Sequence, residues 1–324
     1  MAVIALISAK GSPGVTTTSL AMALVWPRPV LLVEADPAGG DILAGYIRGQ
    51  MSMDRGLVQV AIAAHHNRLQ TDFNAQLLDL AKPKSPVSRV LLAGLSDPAQ
   101  AATVAPTWDR LAGHFAWLAG ADTGTDVILD CGRLSAGFPP LQLIAAADVV
   151  LLVVRATLRS ASTAKPAIAA ALHGLGPVGK DRLGLLAVDG GEYRPAELAK
   201  ALHTPVVATM PWRPAEAAAL SDGVGRVADS SALMRAARGV EAAIRAKHPG
   251  LLRPAGDGTQ PSAFTDVPAA PASLAGSPTA PGFDTLAAVN QHPGAHAAGL
   301  NSADPNPAHW PMAPASSAAA GAHR

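Results

Sequence analysis

Between residues 3 and 208 the chain repeats one pattern: a short unbroken run of β-branched and leucine residues, a loop, then an Ala/Leu-rich segment of helical length. The runs are Val3–Ile7, Val30–Val33, Val90–Leu92, Val127–Leu129, Val149–Val154, Leu183–Val188 and Val206–Ala208. Apolar residues at every position, rather than every second one, require strands covered on both faces, as inside a parallel sheet. The helical segments are Thr16–Val25, Gly56–Ala64, Ala99–Ala119 and Pro195–Leu202, with a final one over Ser231–Lys247. This alternation predicts an α/β domain, doubly wound, with a mostly parallel sheet flanked by helices. The chain is 49% hydrophobic but only 4% aromatic, so its core must be aliphatic. In such sheets ligands bind beyond the C-terminal strand ends, and the search for chemistry starts in those loops.

The pattern stops near Pro249, so the domain is expected to occupy 1–248. From 249 to 324 the sequence is rich in Ala, Pro, Gly, Ser and His, with frequent prolines and few charges. Such a stretch buries too little apolar surface to offset its chain entropy. It is expected to be a disordered tail, with a short helix near Phe283 to Val289. The apolar start, Met1 to Ala9, is too short for a signal peptide, and no apolar run approaches the roughly 18 residues that span a bilayer. A cytoplasmic protein is the expectation. A net charge of +1 gives no global attraction to nucleic acid or acidic lipid. The single cysteine, Cys131, excludes an internal disulfide and reads as a small core residue. His65, His66 and the histidines of the tail lack metal-ligand spacing, and no Ser/His/Asp or Cys/His set is recognisable.

The first run leads directly into Lys10, Gly11, Ser12, Pro13, Gly14, Val15, Thr16, Thr17 and Thr18, followed by a helical segment. A glycine-containing turn between strand and helix aims backbone N–H groups and the positive helix end at an anion. Thr16 sits where a hydroxyl can ligate a magnesium ion held by the same phosphates. The alternative is a tight turn in which threonines merely cap the helix.

This segment resembles the deviant Walker A loop of the MinD/ParA ATPases, a branch of the P-loop NTPases of SIMIBI type. In that loop a signature lysine opens a glycine-rich turn that ends in a second lysine and two hydroxyl residues. Lys10 matches the signature lysine, and Gly11, Gly14, Thr16 and Thr17 match the turn. Ser12 replaces a glycine. Val15 replaces the second lysine, which normally touches the β- and γ-phosphates. One charge-assisted bond contributes roughly 1.5–3 kcal/mol, so its loss predicts an affinity lower by about ten- to a hundred-fold. Transfer chemistry should suffer more, because charge builds on those oxygens in the transition state.

The resemblance extends in order to residue 247. Past the second run come Glu34, Ala35, Asp36 and Pro37, where the family carries an acid pair before proline. Asp36 matches the acid that orients the attacking water, and Glu34 stands in for the first acid. Gly39, Gly40 and Asp41 then suit a switch loop. Asp126 to Gly132 has the form of a Walker B strand, with Asp130 as the closing acid holding magnesium through water and Asp126 as the opening one. Ala147 and Asp148 precede a strand like the family's next one. Asp189 stands where the family has a base-reading Asn. Pro205 to Arg213 resembles the segment that closes the family's sheet, with Pro211 and Arg213 beside the base.

The resemblance thus implies a nucleotide-dependent switch. ATP and magnesium would close a homodimer in which Lys10 reaches the partner's phosphates, changing affinity for a protein partner or for non-specific DNA. Partitioning, septum-site placement and pilus or secretion assembly are the roles implied. Arg226, Arg235, Arg238, Arg245 and Lys247 gather around the last helical segment. They suit either DNA phosphates or a solvated face. The Pro/Ala-rich region beyond them argues against a C-terminal membrane helix. Val15 leaves a second reading open, a pseudo-ATPase scaffold without turnover. A metabolic ATP-dependent enzyme of the same superfamily is a third.

Overall fold

The computed structural model describes residues 1–11, 14–50, 55–82, 85–120 and 124–252, together with Phe264, Val267 and Pro268. Eight strands make one sheet: β1 Val3–Ser8, β2 Val30–Glu34, β3 Leu77–Asp79, β4 Arg89–Leu92, β5 Asp126–Arg133, β6 Val149–Arg155, β7 Leu183–Val188 and β8 Val206–Met210. Their order is β3-β4-β2-β5-β1-β6-β7-β8. Every neighbouring pair is parallel except β3 with β4. Among the described residues the helices of six residues or more are α1 Val15–Val25, α2 Leu57–His65, α3 Trp108–Gly120, α4 Leu141–Ala146, α5 Leu158–Leu175, α6 Pro195–Leu202, α7 Pro214–Ser221 and α8 Ala232–Lys247.

The sheet separates two aliphatic cores. Val3, Ala5 and Ile7 of β1 face one side, where α2, α3, α4 and α5 pack. Ile4 and Leu6 face the other, with α1 and α8. Both faces of the central strands are therefore covered, as their continuous apolar runs require. Each predicted strand is present. The short antiparallel edge strand β3 was not expected, because three residues are too few to show a period. Helix α5 was also not expected, since it contains Pro166 in its interior; the Thr157 hydroxyl caps it by accepting the Ser160 N–H at 3.3 Å. The segment expected as one helix over 99–119 is divided. A tight turn over Ala105–Thr107, built around Pro106, precedes α3.

Two features set the limits of the packed unit. At the N-terminal end of the sheet, Asp126 is fully buried and its carboxylate accepts three bonds. They come from the Ala2 N–H at 2.9 Å, Trp26 Nε1 at 2.7 Å and Arg28 Nε at 2.7 Å. Arg28 also donates to Glu241 of α8 at 2.8 Å. One buried cluster thus ties the starts of β1 and β5 to the end of α1 and to α8. At the far end of the chain, packing continues past 248. Leu252 and Phe264 are buried on opposite sides of the sheet, and the Asp79 N–H donates to the Pro268 carbonyl at 2.9 Å. The rest of the expected tail, with its helix near 283–289, lies outside the described residues. No helix among the described residues is long and apolar enough to cross a membrane.

Candidate functional site

The C-terminal ends of β1, β2, β5, β7 and β8 surround a cleft of about 430 Å³. The turn from β1 into α1 forms one wall through Gly11, Gly14, Val15, Thr16 and Thr17. Gly14 has φ 91°, a left-handed conformation that glycine adopts without steric cost. Among the described residues no side chain caps α1, so the first N–H groups of the helix are open to an anion. Ser12 lies outside the described residues. Val15 is 6% exposed and packs into the core beneath α1. The position that carries the family's lysine is therefore a buried aliphatic contact.

Acidic groups occupy the floor. Asp130 is buried, and burial is the main cause that raises its carboxyl to about 7; a bond from Thr16 lowers it, the charges of Glu34 and Asp36 raise it, and the Gly132 N–H lowers it. Asp36 accepts the Ala38 N–H at 2.8 Å, closing its own turn. Burial raises its carboxyl, against the pull of that N–H and of Arg133. Glu34, which stands in for the first acid of the family's pair, has a structural task here. It is buried, and its two oxygens accept the Asp41, Ile42 and Gly94 N–H groups at 2.9, 2.9 and 3.1 Å. It is a clamp that shapes the loop after β2. Burial still outweighs these bonds and pushes its carboxyl up to about 7.

Opposite the turn between β1 and α1, Met210, Pro211, Trp212 and Arg213 form the second wall. Trp212 is 44% exposed, and the Arg155 guanidinium lies 3.8 Å from its ring centroid. Val188, Leu220 and Leu233 add apolar surface. One wall thus offers amides and hydroxyls, the other an aromatic plate. That is a division suited to a phosphate chain and a base.

Most of the residues expected from sequence meet here. Gly11, Gly14, Val15, Thr16, Thr17, Asp36, Pro211 and Arg213 all line the cleft, with Asp130 bonded to Thr16 beneath it. Lys10 is exposed and does not line the cleft. Asp189 stays at the end of β7, its N–H donating to the Met210 carbonyl at 2.9 Å, and also does not line it. Arg133 and Trp212 were not singled out. Arg133 ends β5, one residue past the Walker B-like segment Asp126 to Gly132, and Trp212 sits inside the closing segment; an aromatic beside Pro211 was the available signal. Among the described residues no group of three or more His, Cys, Asp or Glu side chains is placed to cage a metal. One hydroxyl and one buried carboxylate fit magnesium, which takes one or two carboxylates and completes its shell with phosphate oxygens and water. A cation here would also offset the burial, and the neighbouring acids, that raise Asp130.

No family profile and no curated protein matches the chain. Solved structures do. A ParA family ATPase from Chlorobium tepidum TLS superposes with a TM-score of 0.56 at 18% identity, covering 75% of this chain and 97% of its own. The fold is that of the ParA and MinD ATPases. MinD from Pyrococcus horikoshii OT3, solved with Mg-ADP, gives a TM-score of 0.56 at 14% identity, covering 76% and 99%. Cobyrinic acid a,c-diamide synthase from Mycobacterium smegmatis, solved with an ATP analogue and magnesium, gives 0.54 at 21% identity, covering 77% and 96%. Neighbours of this fold thus carry nucleotide and magnesium.

Proposed function

We propose that the chain is a MinD/ParA-like switch that binds Mg-ATP weakly, hydrolyses it slowly and closes a homodimer around it. The observation that carries this reading is the convergence of the phosphate turn, Asp36, the Thr16–Asp130 pair and the Pro211–Arg213 segment on one cleft. The amides from Gly11 to Thr17, Pro13 excepted, would hold the phosphate chain. Thr16 and Asp130 would hold magnesium, Asp130 through water; the ion supplies charge neutralisation of the phosphate oxygens when bound. Asp36 would orient the attacking water, with the Ala38 N–H fixing its carboxylate. Lys10, exposed beside the cleft, would reach the partner's phosphates in the dimer. Pro211 and Arg213 would frame the base; Asp189, which does not line the cleft, is left out of that frame. Closure would alter affinity for a protein partner, or for DNA, in partitioning, septum-site placement or pilus and secretion assembly.

The test is calorimetric titration of Mg-ATP and Mg-ADP into the wild type, Lys10→Ala and Val15→Lys. Micromolar binding by the wild type, together with dimers that form in ATP and fail to form in Lys10→Ala, supports the switch. The burial of Val15 in the core favours a second reading, an interaction scaffold without turnover. Absence of wild-type binding, with binding restored by Val15→Lys, would establish that reading instead.

A further inference from the structure

Among the described residues that line the cleft, only Arg133 and Arg213 carry positive charge. Arg213 belongs to the wall of Trp212. Arg133 belongs to the phosphate side, and its position there is built rather than incidental. Leu6 pairs with Asp130, but Ser8 pairs with Arg133, so two steps along β1 face three along β5. The extra residue makes a bulge, and such bulges re-aim the side chains beyond them. Without it Arg133 would point to the side of Leu129 and Cys131, the side that packs α2 to α5. With it Arg133 shares the side of Leu6 and Ser8, where α1 begins. Gly132 makes the bulge possible: its φ is 60°, and a Cβ there would lie 2.0 Å from Asp36 Cγ. The Leu134 N–H holds the strand beyond the bulge by donating to the Ser8 carbonyl at 2.9 Å.

The guanidinium consequently lies over the phosphate turn. A Cβ built on Gly11 would meet Arg133 Nη1 at 3.2 Å, and Arg133 Nε is 4.0 Å from Asp36 Oδ2. It stands between the turn that would cradle phosphates and the acid that would face the terminal one. The side chain is 45% exposed, so ligand can reach it. We infer that Arg133 takes over, from within the same chain, the phosphate contact that Val15 cannot make. This inference rests on the nucleotide-binding reading of the cleft. A planar guanidinium offers two parallel donors to phosphate oxygens, so a cation entering from β5 serves where position 15 supplies none.

The experiment measures binding of Mg-ATP, Mg-ADP and AMP by calorimetry. The proteins are the wild type, Arg133→Ala, Arg133→Lys, Asp36→Asn, the double variant Asp36→Asn/Arg133→Ala, and Val15→Lys/Arg133→Ala. Arg133→Ala is expected to weaken Mg-ATP by about ten- to a hundred-fold, the loss of one charge-assisted contact, and to leave AMP almost unchanged. Arg133→Lys should retain most of the affinity, and Val15→Lys should restore Arg133→Ala, since a cation returns to the same phosphates from the turn. Wild-type binding that survives Arg133→Ala overturns the inference and leaves the nucleotide reading intact. So does an effect of Arg133→Ala that vanishes in the Asp36→Asn background, which would mean the guanidinium only neutralises that acid. Absence of nucleotide binding by the wild type overturns both readings.

Discussion

Asp126 and Asp130 lie on one strand, both buried, at opposite ends of the same sheet. Asp126 has an ionic partner in Arg28 and accepts two further hydrogen bonds. Asp130 has the Thr16 hydroxyl and the Gly132 N–H, and it faces two other carboxyls, Glu34 and Asp36. A buried charge is tolerable when it is paired and bonded. The first carboxylate meets that condition within the fold, whereas the second has no cationic partner among the described residues. One end of the sheet is built for cohesion and the other holds an electrostatic deficit, and deficits of that kind mark functional clefts.

The comparison breaks most visibly in stability. Asp126→Ala removes one partner of a buried pair and should cost about 3–5 kcal/mol in urea unfolding. Asp130→Asn removes an uncompensated buried acid, so it should cost little while impairing magnesium-dependent nucleotide binding. Equal destabilisation by the two variants would erase the distinction between the ends.

A smaller effect is expected at the bulge. Gly132→Ala must adopt a left-handed φ and displace Asp36, with a cost of about 1–3 kcal/mol and a loss of nucleotide affinity larger than that of stability. Thermal unfolding and titration of the same variant separate the two. An alanine accepted without change in either would show that Asp36 and Arg133 do not depend on the bulge.

The mildest effect is on pH. The Asp130 and Glu34 carboxyls reach about 7 in the folded chain, against ordinary values of 3.8 and 4.5. Within those windows the folded chain holds protons that the unfolded chain has released, so these groups make stability fall as pH rises towards 7. Asp130→Asn should flatten that fall in urea titrations between about pH 4 and 7. Magnesium nucleotide needs Asp130 ionised, so its binding should release protons and tighten from pH 6 to pH 8. Calorimetry in two buffers of different ionisation enthalpy measures the release.

Much of the fold was legible because its signals are local. Strands covered on both faces show as unbroken apolar runs, and the phosphate turn shows as glycine and threonine between a strand and a helix. Helix α8 and its cap at Ser231, whose hydroxyl accepts the Met234 N–H at 3.3 Å, were readable for the same reason. Where a local rule has exceptions, reading failed. Pro166 sits inside α5, and the short edge strand β3 carries too few residues for a pattern.

The sequence by itself determined the doubly wound class, seven of the eight strands of the sheet, and the loops in which the candidate site lies. Tertiary structure alone decided which acid is which. Glu34 became a clamp on the loop after β2, Asp126 an anchor for Arg28, and Asp130 an acid with no cationic partner among the described residues, because burial and pairing depend on residues far away in the chain. It also decided that Arg133 faces α1. A side chain's face follows from the register between β1 and β5, and one extra residue at Gly132 reverses it.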